Sequence, residues 1–226
     1  MNTITASAAV LMMISNYVET VVHFVGLSLF TFYGYGIALI SILPNIQLSD
    51  GAFLKELENT RARGYNRKQL LIAKQLMDGY TYKELPEEVY VVCDREDLTN
   101  SIIGYHKILE SYYYMDRKEW DKAKKALMNF DKVIDDVPKS IRNIVAAEKM
   151  FLSLLENNVS FTEDKELEDY LNGKGDINFH RVKTAYSINK DNQEKERYRK
   201  IFIRNMKDYA YPGEAAFCHK LLEEIQ

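Results

Sequence analysis

The chain has 226 residues, a formal net charge of −3 and a mean hydropathy of −0.33. This length allows one or two domains. The small acidic balance argues against a nucleic-acid partner, because nucleic-acid-binding domains carry a basic excess. The charges are also unevenly spread. Before Pro44 there is no Lys or Arg, and Glu19 and His23 are the only ionisable side chains apart from tyrosines.

The N-terminal region contains one long apolar segment. Val21–Leu43 runs for 23 residues without a formal charge, apart from His23. A helix of this length covers about 34 Å, which exceeds the hydrocarbon thickness of about 30 Å. The sequence therefore predicts a transmembrane helix, and the alternative is a buried helix of a soluble protein. The apolar segment Ile4–Val18 is either a second span or an interfacial segment, and no basic region precedes it as a cleaved signal peptide requires.

Basic residues predict the orientation of this membrane segment. They begin at Lys55 and continue to Lys74, all on the C-terminal side of the span. Since cytoplasmic flanks are enriched in Lys and Arg, we expect a cell-membrane protein whose C-terminal domain lies in the cytoplasm. The bilayer is then the first partner, and these basic residues contact its headgroups. Cys93 and Cys218 are predicted to be free thiols in a reducing compartment.

Helical periodicity predicts an all-α fold for residues 61–226, after a membrane segment in residues 1–60. The predicted helices are Asn66–Asp78, Thr99–Tyr114, Lys118–Asp135, Ser140–Glu156, Glu163–Leu171, Phe179–Asn189, Gln193–Asp208 and Gly213–Ile225. Gly79 is expected to end the first helix and Thr99 to cap the second. Val89–Cys93 is the one candidate strand, and His106 lies on an apolar stripe as a core residue.

One pair of predicted helices resembles a tetratricopeptide repeat. Tyr114, Trp120, Ala123 and Leu127 have the aromatic, small and large spacing of such a unit, with Ala123 at the closest helix contact. Only one clear unit is present, so the domain is predicted to be tetratricopeptide-like rather than a regular array. Core packing explains the 16 tyrosines, and the alternative is a concave groove that binds a protein or peptide.

The sequence just after the membrane segment resembles the site-2 protease family of intramembrane zinc metalloproteases. Leu43-Pro44-Asn45 leads to Asp50-Gly51, as in the family's Asp-Gly motif at the start of a helix. The segments Gly79–Glu88 and Tyr211–Glu214 resemble landmarks of a branch with an appended cytoplasmic helical domain. The resemblance implies that Asp50 is a candidate third zinc ligand. The alternative is that Ser49 or Asp50 only caps the helix Gly51–Asn59.

The catalytic part of the family motif is missing from this chain. The family takes two zinc ligands and the general base from an HExxH helix, whereas the nearest match here, Glu19 to His23, has Thr20 at the position of the base. If Val21–Leu43 spans the bilayer, His23 and Asp50 lie at opposite ends of a helix roughly 30 Å long, although zinc ligands must lie about 2 Å from one ion. For His23 and Glu19 the alternative is an interfacial hydrogen-bonded pair.

The resemblance therefore predicts the C-terminal portion of a site-2-type metalloprotease that has no catalytic residues and no peptidase activity as a lone chain. No cofactor is expected for the chain by itself, and zinc is expected only if a second chain supplies HExxH. Two origins fit this pattern, a gene fragment and a natural non-catalytic relative. The alternative function is a membrane-anchored helical module that binds a protein or peptide partner.

Overall fold

The structure is a computed structural model of the chain. The chain divides into two compact units, Met1–Thr60 and Arg61–Gln226. The structure describes residues 55–156, 167, 170–171, 176–188 and 192–225. The predicted transmembrane helix, Asp50 and most of the predicted helix Glu163–Leu171 lie outside the described residues.

The second unit is built from α-helices and short 3-10 turns. Its helices are α1 (Thr60–Met77), α2 (Glu87–Tyr90), α3 (Ser101–Asp116), α4 (Trp120–Met128), α5 (Lys139–Leu155), α6 (Ile177–Ile188), α7 (Asn192–Lys207) and α8 (Pro212–Glu223), with 3-10 turns at Tyr82–Glu84 and Asn129–Lys132. No strand occurs within the described ranges, so the all-α prediction is confirmed there. None of the helices in this part of the chain is both long enough and apolar enough to cross a membrane.

The first helix ends where the sequence predicts, but it begins earlier. Gly79 has φ +89°, its amide donates to the carbonyl of Leu76 at 3.2 Å, and the amide of Tyr80 donates to Gln75 at 3.2 Å. This pair of bonds is a Schellman cap, and it confirms the prediction for Gly79. The predicted start at Asn66 is wrong, because the helix begins at Thr60 and includes Gly64. Burial of Ala62 in the first turn outweighs the low helix propensity of that glycine.

The cap of α3 is Asn100 rather than Thr99. The side-chain oxygen of Asn100 accepts from the amides of Ile102 and Ile103 at 3.1 and 3.2 Å. The hydroxyl of Thr99 instead donates to Asp97 at 2.6 Å, within the preceding turn. Asn and Thr are both good caps, and the local turn at Asp97 decides which of the two takes the position.

The predicted helix Lys118–Asp135 is wrong at both ends. Lys118 has φ +61°, a left-handed conformation that cannot begin an α-helix, so α4 starts at Trp120. At its other end α4 tightens into the 3-10 turn at Asn129–Lys132, which contains the fully buried Phe130. Within α4 the side chain of Ala123 is fully buried, and α4 packs on α3; the tetratricopeptide-like contact of Ala123 stays a prediction.

The candidate strand Val89–Cys93 is not a strand. Its first two residues close the short helix α2, and the amide of Val92 donates to the buried carboxylate of Glu110 at 2.8 Å. A strand requires a neighbouring strand to accept its amides, and here a side chain on α3 takes that place. The β-branched composition of the segment reflects burial of Val92 rather than sheet pairing.

The first turn of α8 packs directly on the loop that follows α1. Pro212 occupies the first turn, where its missing amide has no consequence. A Cβ atom on Gly213 would lie 1.9 Å from the carbonyl oxygen of Tyr80. Only glycine therefore permits this approach, which joins the two ends of the domain's sequence.

We predict that Gly213→Ala destabilises the domain by about 1–3 kcal/mol, since the main chain must move away from the new methyl group. The matched control is Gly64→Ala. Gly64 lies inside α1 with no atom within 4 Å of an added Cβ, so alanine there should stabilise by roughly 0.5–1 kcal/mol. Urea unfolding followed by circular dichroism measures both changes, and equal effects of the two substitutions would contradict the packing explanation.

Candidate functional site

The structure places the described histidines on three different helices. His106 is buried in α3, while His180 and His219 lie on α6 and α8. Within the described ranges, no group of three or more His, Cys, Asp or Glu residues could hold a metal ion. Cys93 is exposed and Cys218 is buried, and both are free, as predicted. Asp50, Glu19 and His23 lie outside the described residues, so the predicted zinc ligand stays a prediction.

The prediction that His106 is a core residue is confirmed. Its Nε2 donates to the carbonyl of Val89 at 2.9 Å, and its ring packs 4.9 Å from that of Tyr65. Burial lowers the pKa of His106 to about 4, against the smaller opposing effect of the Val89 bond. The imidazole is therefore neutral near pH 7 and supports the packing of α2 on α3.

A buried ion pair joins α5 to α6 at the centre of the domain. Nη2 of Arg181 donates to the two carboxylate oxygens of Glu148 at 2.5 and 2.6 Å. The hydroxyl of Tyr112 on α3 donates to the same carboxylate at 2.9 Å. The side chain of Arg181 is 0 % exposed and that of Glu148 is 2 % exposed. Three helices thus meet at one fully desolvated carboxylate.

Aromatic rings enclose the guanidinium of Arg181. Its central carbon lies 4.1 Å from the ring centre of Phe151, 5.9 Å from Phe217 and 6.0 Å from Tyr112. The Nε and Nη1 atoms have no hydrogen-bond partner among the described residues. Only Nη2 of the guanidinium bonds to Glu148, so cation–π attraction to the surrounding rings supplements that contact. Burial alone would lower the pKa of Arg181, but the carboxylate of Glu148 raises it above the ordinary value.

A second buried carboxylate, Glu214, organises the first turn of α8. It accepts from the hydroxyl of Tyr82 at 3.0 Å, from that of Tyr209 at 2.9 Å and from the amide nitrogen of Asn178 at 2.5 Å. Asn178 also accepts from the thiol of Cys218 at 3.1 Å. Burial raises the pKa of Glu214, and the hydrogen bonds oppose that rise in part. This carboxylate connects the 3-10 turn at residues 82–84 with α6 and α8.

A third contact of the same kind fixes the C-terminal end of α3. The carboxylate of Asp116 accepts from the main-chain amide of Lys83 at 2.9 Å and from the amine of Lys220 at 3.1 Å. The amine of Lys220 also donates to the carbonyl of Asp116 at 3.0 Å. The carbonyl of Asp116 is one of those at the end of α3 that have no partner within the helix, and the amine of Lys220 donates to it. The positive charge of Lys220 is also favourable at the negative end of the helix dipole.

Burial keeps the hydroxyls and the thiol of this network in their protonated forms. Burial raises the pKa of the Tyr82 and Tyr112 hydroxyls well above the ordinary value. Burial also raises the pKa of the Cys218 thiol, and Arg181 reduces that effect only in part. A reactive thiol needs a lowered pKa and access to solvent. The arrangement therefore holds helices together, and we name it the buried polar network (Tyr82, Tyr112, Glu148, Asn178, Arg181, Glu214 and Cys218).

The surface of the domain carries shallow grooves beside the buried polar network. One groove of about 210 Å³ is lined by Ile134, Arg142, Asn143, Val145, Ala146, Lys149 and Leu167. A smaller cavity of about 20 Å³ lies among α6, α7 and α8 near Phe202 and His219. Both volumes fall below the roughly 300 Å³ at which small-molecule sites begin. We assign no ligand to either groove.

Sequence reasoning missed the buried polar network, although one signal for it was available. Glu148 lies on the apolar stripe of a predicted helix, together with Ile144, Ala147 and Phe151. A charge on such a stripe is rarely left unpaired when it is buried. Its partner Arg181 lies 33 residues further on, beyond any local pattern that could have identified it.

Comparison with other proteins adds no assignment to this geometry. No model of a known protein family, no curated protein and no solved structure matches the chain.

We predict that Glu148→Gln destabilises the domain by about 3–5 kcal/mol, because it leaves the buried charge of Arg181 uncompensated. The double variant Glu148→Leu with Arg181→Met should recover most of this loss, since apolar side chains of similar size do not need a partner. Urea unfolding monitored by circular dichroism compares the two. A single variant as stable as the native chain would show that the pair does not organise the core.

We predict that the domain loses stability as the pH falls from about 6.5 to about 4, with His106 contributing up to about 3 kcal/mol of the loss. The folded-state pKa is the lower one, so the unfolded chain binds the proton first and acid favours unfolding. His106→Gln keeps a donor for Val89 but does not titrate. The stability difference between the native chain and this variant should shrink between pH 7 and pH 4.5, and a constant difference would contradict the prediction.

Proposed function

We propose that this chain is a membrane-tethered, non-peptidase relative of the site-2 proteases, with a cytoplasmic, tetratricopeptide-like helical domain. In this proposal residues 1–60 form the membrane segment that ends in Asp50-Gly51 and the following helix. Residues 61–226 form the appended domain. The chain has no peptidase activity by itself and acts through a partner, either a chain that carries HExxH or a protein or peptide held by the helical domain.

The observation that supports the proposal is the contact between two segments that resemble family landmarks. Gly79–Glu88 and Tyr211–Glu214 are distant in sequence, yet Gly213 packs on the carbonyl of Tyr80. The hydroxyl of Tyr82 also donates to Glu214 at 3.0 Å. Both segments therefore belong to one packed region of the domain, as an appended domain that contains both landmarks requires.

The tetratricopeptide-like character of the domain is supported by the packing of α3 and α4. They are joined by residues 117–119 and pack together with Ala123 fully buried. A small residue at this position allows close approach of two helices, as in helical repeats. One such pair supports the resemblance of this unit, and it does not by itself make an array.

The zinc donors of this chain do not make a site alone. A catalytic zinc takes three protein ligands and keeps one position for water. The sequence offers Asp50 by resemblance, but Glu19 to His23 lacks the base and one histidine of the family motif. The described residues add no cluster of three ligand side chains. A zinc centre that uses Asp50 would therefore need two ligands and the base from a second polypeptide.

Two measurements test the proposal, and the first reports membrane topology. Cys93 is exposed and Cys218 is buried, so they form a matched pair within one chain. We expect a membrane-impermeant maleimide to label Cys93 only after intact cells are permeabilised, with Cys218 unlabelled until the protein is denatured. Labelling of Cys93 in intact cells would place the helical domain outside the cytoplasm, and recovery of the chain in an alkaline-washed soluble fraction would remove the membrane tether.

The second measurement concerns metal and activity. The full chain in lipid nanodiscs should neither cleave a transmembrane peptide substrate nor retain zinc stoichiometrically after dialysis. Asp50→Asn is the control. Tight zinc binding by the lone chain that is lost in Asp50→Asn would overturn the proposal that the chain is incomplete as a metalloprotease. Activity that arises only with an HExxH-bearing partner, and is lost in Asp50→Asn, would identify the two-chain enzyme.

A further inference from the structure

Charge is distributed unevenly over the helical domain. Residues 1–60 hold one of the 30 Lys and Arg residues and four of the 33 Asp and Glu residues, which leaves 29 of each sign in residues 61–226. Within this balanced total, α1 holds no acidic residue and carries Arg61, Arg63, Arg67, Lys68 and Lys74. The first helix of the domain is therefore strongly basic, while the domain as a whole is neutral.

The same helix exposes large apolar side chains. Leu70 is 64 % exposed, Leu71 47 % and Met77 57 %, and Tyr80, just beyond the helix, is 55 % exposed. These four are half of the large apolar side chains that stand exposed in the described part of the chain. Isolated exposed apolar residues are ordinary, but a cluster of them on one element indicates an interaction surface.

Helical geometry places the basic and apolar residues on one face. Arg63, Arg67, Leu70, Lys74 and Met77 follow spacings of three and four residues and form one stripe along α1. The buried residues Ala62, Ile72 and Leu76 occupy the opposite face. We call the exposed stripe, together with Leu71 and Tyr80, the α1 face.

Two cations of the α1 face, Lys74 and Arg67, are exposed to solvent. Lys74 is 74 % exposed and pairs with Asp78 just beyond the end of its own helix, at 2.9 Å. Arg67 is exposed as well. Lys68, by contrast, turns toward the domain and donates to the carbonyl of Glu88 at 2.8 Å. Positive charge beside exposed leucine and methionine is the pattern of a helix that lies in a membrane interface.

We propose that the α1 face lies on an anionic bilayer surface, with Leu70 and Met77 in the interface and Arg67 and Lys74 at the lipid phosphates. This inference rests on the proposed membrane tether. The helix α1 begins 16 residues after Pro44, which follows the proposed span. Even a fully extended chain of that length reaches only about 55 Å, so the tether keeps α1 close to the bilayer. Charge complementarity selects the occupant: Arg63, Arg67 and Lys74 outnumber the carboxylate beside them, Asp78, so the net positive face fits anionic headgroups, and screening weakens the attraction as salt rises.

The test measures whether lipid covers the α1 face in the full chain. Spin labels are placed singly at Leu70→Cys and Met77→Cys in a Cys93→Ser background. Met128→Cys is the matched control, because Met128 is 60 % exposed on α4, away from the α1 face. Each protein is incorporated in nanodiscs of phosphatidylcholine, with or without about 30 % phosphatidylglycerol. Collision with oxygen and with a water-soluble nickel complex reports the environment of each label.

We expect the anionic lipid to reduce nickel collisions several-fold and to raise oxygen collisions at positions 70 and 77, with no change at 128. When Arg67→Glu and Lys74→Glu are introduced into the labelled chains, nickel collisions at positions 70 and 77 should rise again to the values of a water-exposed label. Labels at 70 and 77 that stay exposed to nickel in anionic discs would overturn the inference. Shielding that is equal in neutral discs and survives charge reversal would also overturn it, since a protein surface would then cover the face.

A separate measurement distinguishes failure of this inference from failure of the membrane tether. Retention of the chain in discs after an alkaline wash reports the tether alone. If the alkaline wash removes the chain from the discs, the proposed membrane tether is overturned. Binding of the α1 face to lipid is then tested separately, by sedimentation of the chain with anionic vesicles. Sedimentation that Arg67→Glu with Lys74→Glu abolishes would support the inference without the tether, and absence of sedimentation would overturn both.

Discussion

The desolvated carboxylate of Glu148 is the constraint on which the helical domain depends. It receives Arg181 from α6 and Tyr112 from α3, so three helices that are distant in sequence must meet at one point. An ion pair in this position is costly to desolvate and contributes little net stability compared with apolar side chains. We expect its effect to be on the specificity of helix packing, because any arrangement that separates the helices leaves a buried charge without a partner. The aromatic rings around Arg181 reinforce this geometry through cation–π contacts.

The other buried carboxylates extend the same principle to the edges of the domain. The carboxylate of Glu214 accepts hydrogen bonds from two tyrosine hydroxyls and one asparagine amide. The carboxylate of Asp116 accepts hydrogen bonds from a main-chain amide and from a lysine amine. Each joins an early segment of the domain to its last helix. Because burial raises the pKa of the tyrosine hydroxyls and of the Cys218 thiol, these groups act as fixed hydrogen-bond donors. These buried groups join helices to one another, whereas α1 carries exposed basic and apolar side chains.

Charged side chains are arranged differently in the interior of the domain and on its surface, and this difference supports the proposed function. Inside, Glu148 is paired with Arg181 across two helices, and Glu214 is held by neutral donors. On α1, charges of one sign are gathered beside exposed leucine and methionine. In the proposed function, the membrane tether and the basic, apolar α1 face hold the domain at the bilayer, and its other surfaces are presented to a partner. Catalysis, in this proposal, would come from a second polypeptide.

The sequence alone determined the class of the fold and the ends of several elements. Periodicity predicted the all-α fold, and Gly79 predicted the end of α1, because positive φ at a helix end is a local requirement that glycine meets. Helix starts were less accurate. Thr99 and Asn100 are both competent caps, and only the turn at Asp97 selects Asn100. Val89–Cys93 has a strand-like composition, but the carboxylate of Glu110 takes the amide that a neighbouring strand would have bonded.

Tertiary structure alone decided the partners of the buried charges and the position of the α1 face. Glu148 could be recognised as a charge on an apolar stripe, whereas Arg181, 33 residues away, could not be named as its partner. Likewise the α1 sequence contains Leu70, Leu71, Ile72 and Leu76 in close succession, and composition cannot say which of them are covered. The contacts show that Ile72 and Leu76 pack inward while Leu70 and Leu71 face outward. The physical reason is that helix geometry fixes which residues share a face, but only the neighbouring helices determine which face becomes the core.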